Sequence, residues 1–292
     1  MDVRKPDFLI IGAQKAGTTS LYEYLRSHPD VWFPEGVKET HFFTYWNSQG
    51  YESESPRVRV TTEVDEYLEL FEDAPPGCVA GEASPSYLYD PDAPVRIKEF
   101  VPNVSLIAIL RDPVERAYSN YLHAARSGRE SRSFEEALEL EPKRIGEGAP
   151  NMIHYREKGF YGRQIARYRE HFESDQLLIL LSEDLWQHRS STLRCVLKFL
   201  SIDPDISLDA SKHHGASGVP KNSLLRSLYR MTELRRALGA MIPQSVRSIL
   251  RNMFLHRPEM DPATAQRLRD EYREDLETLQ ELTGQNVSHW LP

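Results

Sequence analysis

The segment Gly12-Ala13-Gln14-Lys15-Ala16-Gly17-Thr18-Thr19 combines two glycines, a lysine and a threonine pair directly after a short apolar run at residues 8–11. At a strand-to-helix junction, such a turn aims backbone N–H groups and the positive end of a helix at one point, which favours an anion. Lys15 adds a point charge that can neutralise negative charge building on a leaving oxygen, and the hydroxyls of Thr18 and Thr19 add short-range donors. In the triphosphate loop GxxxxGK[ST] the lysine follows the second glycine; here Thr18 takes that place and Lys15 comes earlier, which argues against ATP. The plain alternative is an ordinary turn with a solvated lysine. A second cluster, Lys38-Glu39-Thr40-His41-Phe42-Phe43, sets a carboxylate beside a lysine and a histidine. A carboxylate within hydrogen-bond reach of an incoming nucleophile can take its proton. Lys38 can stabilise charge and His41 is an alternative base, while the plain reading is a solvated charged face. Arg111 offers a guanidinium that binds phosphate through two N–H groups at once, and Ser119 a hydroxyl without charge. Against this stand a salt bridge of Arg111 with Asp112 or Glu115 and a solvated helix position for Ser119.

Elements must bring these groups together. Apolar runs at 8–11, 106–110 and 177–181, each bounded by polar or turn residues and followed by a helical pattern, read as buried parallel strands, with a fourth at 78–80. Leu21, Tyr24, Leu25 and His28 follow helical spacing up to a stop at His28-Pro29. Asp112 reads as an N-cap with Pro113 at the first helical position, and Tyr118, Tyr121, Leu122 and Ala125 share one face. Tyr161, Ile165, Tyr168 and Phe172 predict another amphipathic helix, and residues 262–283 a long one opened by Asp261-Pro262 and closed by Gly284. Repeated strand-then-helix units imply an α/β fold, a central mainly parallel sheet flanked by helices in a P-loop-like three-layer architecture. Neighbouring parallel strands bind ligands at their carboxyl ends, so Lys15 and Arg111 are expected to share one crevice. The polar stretches 47–76 and 141–151 fit the sheet pattern poorly and read as loops, either shaping a cleft or simply connecting.

The run Pro6-Asp7-Phe8-Leu9-Ile10-Ile11-Gly12-Ala13-Gln14-Lys15-Ala16-Gly17-Thr18-Thr19-Ser20-Leu21 resembles the 5′-phosphosulfate loop of sulfotransferases that use 3′-phosphoadenosine 5′-phosphosulfate (PAPS), especially the heparan sulfate branch. The resemblance implies donor contacts from Gln14, Lys15, Ala16, Gly17, Thr18, Thr19 and Ser20. It makes Glu39 the catalytic base, with Lys38 and His41 beside it, and Arg111 with Ser119 the 3′-phosphate site. More weakly, Tyr161 falls where the family contacts adenine, Lys221 where a closing loop approaches phosphate, and Lys158-Gly159-Phe160 in the same neighbourhood; a core tyrosine and a solvated lysine are the plain alternatives. Gly81-Glu82-Ala83-Ser84-Pro85-Ser86-Tyr87-Leu88 resembles the segment near the acceptor, but Ala83 stands where that branch commonly has lysine. That departure withholds a cation from the reacting group, leaves open whether Lys38 replaces it, and keeps the resemblance from defining the acceptor. Glu82 either orients substrate or ends a strand. The implied activity is in-line sulfuryl transfer to a hydroxyl or amine of a glycan, lipid or small molecule. The rivals are a P-loop-type small-molecule kinase and a noncatalytic nucleotide- or glycan-binding protein.

A chain of 292 residues, 40% hydrophobic and 27% charged, can bury a sizeable core, and we expect a single domain over 1–292 with cleft-covering segments around 141–151 and 221–260. Residues 226–257 carry seven arginines, with Leu225, Leu228, Met231, Leu234 and Leu238 at near-helical spacing. This basic amphipathic stretch suits an anionic glycan, peripheral membrane contact or a partner, or else a helical hairpin over the cleft. A formal charge of −8 argues against general nucleic-acid binding. No stretch approaches the roughly 20 apolar residues of a membrane span, and charged residues lead straight into the first strand pattern, so a cytoplasmic location is expected. Cys78 and Cys195 form no metal-spaced cluster; neither a metal nor a disulfide is expected, and both read as buried small hydrophobes.

Overall fold

The apolar runs become strands because both of their faces are covered. β1 (Phe8–Gly12), β2 (Val31–Trp32), β3 (Val79–Glu82), β4 (Ser105–Leu110) and β5 (Leu177–Leu181) form a wholly parallel sheet in the order β2-β3-β1-β4-β5. Every residue of β1 is buried, and Leu106 to Leu110 of β4 have no exposed surface, so each strand reads as an uninterrupted hydrophobic run rather than an alternation. The fourth expected strand lies at Val79–Glu82, and the two-residue β2 is too short to leave a pattern. The helices, in chain order, are α1 (Thr18–Arg26), α2 (Phe42–Tyr45), α3 (Val64–Glu69), α4 (Ala93–Phe100), α5 (Pro113–Arg126), α6 (Phe134–Gly146), α7 (Tyr161–Arg169), α8 (Ser182–Gln187) and α9 (Arg189–Phe199), followed by the long helix Pro262–Thr283. This is the α/β fold with a central parallel sheet and flanking helices that the strand-then-helix pattern implies. The computed structural model describes residues 4–50, 57–205, 219–220, 255–256 and 258–292.

Two compact units divide the chain. Met1–Arg111, Phe160–Gly215 and Glu274–Ser288 form the first, which holds the five-stranded sheet. Within it α1 packs on β1 and β2, and α8 and α9 on β5. The second comprises Asp112–Gly159, Ala216–Arg273 and His289–Pro292. Here Asp112 caps α5 as expected, its carboxylate accepting the N–H groups of Val114 and Glu115 at 2.8 and 3.1 Å, with Pro113 following. A two-stranded antiparallel ladder, β6 (Val219–Pro220) with β7 (Leu255–His256), also belongs to the second unit. No helix among the described residues is long and apolar enough to cross a membrane.

Three expectations need correction. Residues 141–146, read as part of a loop, are the last turns of α6, which continues through Pro142. A capping box between Ser133 and Glu136 starts that helix, and the fully buried Glu141 accepts the N–H groups of Tyr155, Arg156 and Glu157 at 2.9, 2.8 and 2.8 Å. Those bonds favour helix here over the single backbone hydrogen bond that proline removes. The stretch 47–76 similarly contains α3. Finally, the cysteines are not core residues. Cys195 is exposed on the side of α9 away from Leu193, Val196 and Leu197, and Cys78 is half-buried in the turn before β3, its thiol donating to the Pro75 carbonyl at 2.9 Å.

Candidate functional site

β1 ends against the chain that leaves β3. The Leu88 N–H donates to the Ile11 carbonyl at 2.8 Å, and a Cβ on Gly12 would stand 2.5 Å from that of Leu88, so only glycine fits. Beyond Gly12 the loop is tied across to β4 by the Ala13 N–H on the Ile109 carbonyl at 2.7 Å. Lys15 takes a left-handed conformation (φ 71°), and Gly17, at φ 114°, is the N-cap of α1. Glycine has no side chain to bond the first-turn amides, and that turn carries no acidic residue. The first amides of a helix have no partner within it, so α1 presents an anion-ready end. Thr18 and Ser20 are buried, Thr19 is exposed, and Gln14 and Lys15 are half-buried. The Arg111 guanidinium donates to the Lys15 carbonyl at 3.3 Å, which brings the end of β4 against the loop. Tyr161 is fully buried and its hydroxyl donates to the Arg111 carbonyl at 3.0 Å, so it braces Arg111 from within the core.

The 38–41 segment runs between two neighbours. On one side Lys38 and Glu39 donate their N–H groups to the Arg57 carbonyl at 2.7 and 3.1 Å, and Glu39 accepts that of Arg59 at 2.9 Å. On the other, Ala83 donates its N–H to the Lys38 carbonyl at 3.2 Å. The Phe42–Phe43 pair then sinks into an aromatic cluster in which Phe42 stacks on Tyr67, centroids 4.1 Å apart. Lys38 Nζ donates to Glu39 Oε1 at 2.7 Å, and His41 Nε2 lies 3.4 Å from Glu39 Oε2. Burial pushes the Glu39 carboxyl up, but the Lys38 ammonium and the His41 ring more than offset this and lower its pKa from 4.5 to about 2. The opposite His41 nitrogen, Nδ1, is 2.7 Å from Ser86 Oγ.

Glu82, at the end of β3, is 1% exposed. Its Oε2 accepts the hydroxyls of Thr40 and Ser84 at 2.7 and 2.8 Å, and its Oε1 those of Tyr87 and Tyr67 at 2.7 and 3.2 Å. Desolvation raises its pKa, and these hydroxyls counter only part of the rise. Nothing in the spacing signalled this cage, whose donors come from three separate places in the chain, at Thr40, Tyr67 and Ser84 with Tyr87. Also missed was the place of α8 beside the loop: a Cβ on Gly17 would lie 3.6 Å from Leu185 Cδ2 and 3.7 Å from Trp186 Cζ2, and the Trp186 side chain is exposed. The available signal was a tryptophan just after a strand that ends on the same edge of the sheet.

Lys15, Lys38, Glu39, His41, Arg111 and Tyr161 thus lie in the first unit. The carboxyl ends of β3, β1 and β4 flank the point where the strand order reverses about β1, which is where open α/β sheets form their ligand crevice. Ser119 lies in the second unit, 1% exposed on α5. In the same unit Lys158 is 3% exposed, with its pKa pushed well down by burial and then by Arg116. Lys221 and nearly all of the basic stretch 226–257 lie outside the described residues.

A model described as the sulfotransferase family matches residues 6–205. Human carbohydrate sulfotransferase 15 is 30% identical over 249 residues, taking in 68% of this chain and 44% of that protein. Human bifunctional heparan sulfate N-deacetylase/N-sulfotransferase 3 is 32% identical over 218 residues, 69% of this chain and 23% of that one. The match therefore spans less than half the length of these curated relatives. Among solved structures, a sulfotransferase from Alicyclobacillus acidocaldarius superposes with a TM-score of 0.76 at 28% identity, over 99% of both chains.

Proposed function

Because the chain belongs to the sulfotransferase family, we propose that it transfers a sulfuryl group from PAPS to an acceptor hydroxyl or amine by in-line displacement. The observation that carries the reading is the carboxyl edge of the sheet. A glycine-capped anion loop bearing Lys15 meets Arg111 there, and the ionised Glu39 is held in the segment bonded to the end of β3. In this reading the loop amides and Lys15 hold the 5′-phosphosulfate. Arg111, braced by Tyr161, takes the 3′-phosphate; Ser119 and Lys221 join it on the strength of the resemblance alone.

Glu39 accepts the acceptor proton as the new O–S or N–S bond forms. The bond between sulfur and the bridging phosphate oxygen breaks, and its electron pair leaves on the 5′-phosphate of adenosine 3′,5′-bisphosphate. Lys15 and the loop amides offset the charge gathering on that oxygen. In this reading Lys38, bonded to Glu39 at 2.7 Å, takes the charge-stabilising role for which Ala83 provides no cation. The names of the two human relatives make a glycan the first acceptor to try, ahead of lipid and small-molecule alcohols.

Transfer of labelled sulfate from PAPS into an acceptor panel tests the reading. Lys15→Ala is expected to lose about 10²–10³-fold in kcat with its fold intact. Glu39→Gln should keep adenosine 3′,5′-bisphosphate affinity while losing about 10²–10⁴-fold in transfer. Full activity of Lys15→Ala would remove its assigned role, and a parallel loss of affinity and transfer in Glu39→Gln would make Glu39 a donor-binding residue.

A further inference from the structure

We propose that Glu82 is a positioning residue for the proton acceptor Glu39: it sets the direction of three hydroxyl protons, and so commits those oxygens to the backbone N–H groups of the segment that carries Glu39 and His41. The inference rests on the reaction proposed above for its consequence, but its structural part stands without it.

Each of the three hydroxyls has a double engagement. Ser84 Oγ donates to Glu82 Oε2, and its oxygen receives the N–H groups of Thr40 and His41 at 3.0 and 3.1 Å. Thr40 Oγ1 donates to the same carboxylate oxygen and receives the Phe42 N–H at 3.3 Å. The Tyr87 hydroxyl donates to Glu82 Oε1 and receives the Phe43 N–H at 3.5 Å. Four successive amides, from Thr40 to Phe43, therefore end on oxygens whose protons point at one carboxylate.

A hydroxyl can turn either way; a carboxylate accepts only, and so forces its neighbours to donate. With their protons directed at Glu82, the three oxygens face the backbone with lone pairs, and Thr40 Oγ1 and the Tyr87 hydroxyl also stand 3.0 Å apart. This holds His41 in its left-handed conformation (φ 51°), an uncommon one for a residue with a side chain, and Glu39 immediately before Thr40. Ending a strand needs none of this. An apolar residue would fill the same space among Tyr67, Phe43 and Tyr87 without burying a charge, since among the described residues no lysine or arginine is bonded to Glu82.

Glu82→Gln keeps the shape and reverses the logic. Its NH₂ must donate to one pair of hydroxyls, whose protons then turn toward backbone N–H groups that already donate. Amide hydrogen exchange of the wild-type chain and the variant reads this directly. In E82Q the amides of Thr40 to Phe43 should exchange at least about ten-fold faster, while those of β4 are unchanged. In turnover, kcat should fall about 10²-fold with the Kd for adenosine 3′,5′-bisphosphate held within about two- to three-fold. Ser84→Ala, which removes one hydroxyl and leaves the carboxylate, should speed exchange at Thr40 and His41 with Phe43 spared, and it serves if E82Q does not fold. Wild-type exchange at these amides in either variant overturns the proposal, as does a fall in nucleotide affinity matching the fall in kcat. A wild-type chain that transfers no sulfuryl group would count against the proposed reaction, while the exchange result would still decide the role of Glu82.

Discussion

Glu39 has two basic neighbours and little water, and the neighbours dominate. Burial alone would raise its pKa, so the depression to about 2 is held by Lys38, the largest single lowering influence, together with His41. Two consequences follow with definite sign. The folded pKa lies below the ordinary 4.5, so this group contributes stability that is complete above pH 4.5 and is lost as the pH falls toward about 2. In the reaction proposed above, a base ionised down to about 2 gives the free enzyme no acid limb of its own in the usual working range. Lys38→Met removes the largest single lowering influence and leaves burial opposed by His41 alone, so the Glu39 pKa should rise from about 2. The kcat/KM profile should then acquire an acid limb absent from the wild type; superimposable limbs in the two proteins would show that Lys38 does not set this pKa. Lys15 and Arg111 could be placed from the sequence because each follows the end of an apolar strand run, whereas Glu39 was singled out by its place after the loop and the family resemblance. Glu82 was not legible: its meaning comes from Thr40, Tyr67, Ser84 and Tyr87, and an isolated glutamate in a strand sequence has no such signature.

At the scale of elements, the helix that matters most is α1, whose N-terminus is left to a glycine. Gly17 sits at φ 114°, and an added Cβ would meet Leu185 and Trp186 only at ordinary contact distance, 3.6 and 3.7 Å. Gly17→Ala is therefore strained through its backbone rather than by overlap. We expect a stability loss of about 1 kcal/mol and, because the loop amides are re-aimed, a larger loss in affinity for adenosine 3′,5′-bisphosphate. Thermal unfolding and calorimetry on the same variant check both, and an unchanged affinity would show that the loop does not hold the anion. Local chemistry made some elements readable: Asp112-Pro113 opens α5, and Gly284, at φ 68°, closes the long helix with its N–H on the Gln280 carbonyl at 2.8 Å. Where tertiary contacts outweigh local preference, reading failed. Pro142 signals a break, yet α6 passes through it with Glu141 bound to three amides of the 155–157 turn. The half-helical pattern of α9 likewise gave no warning that Cys195 points outward.

At the scale of the molecule, the parallel sheet was legible because buried strands are written as unbroken apolar runs, and β1, β4 and β5 are such runs. The division into two compact units was not, since each of them is assembled from three stretches distant in sequence. The strand order β2-β3-β1-β4-β5 places the reversal at β1, so the loop that follows β1 and the residues that follow β3 and β4 open on one edge. That arrangement, together with a lysine displaced from the triphosphate position, supports a donor carrying 5′-phosphosulfate and 3′-phosphate groups. Calorimetric titration of the full chain with adenosine 3′,5′-bisphosphate and, separately, with ATP and magnesium tests this most directly. The bisphosphate should bind at least about ten-fold more tightly, a difference of about 1.4 kcal/mol or more; equal or tighter binding of ATP would contradict the account.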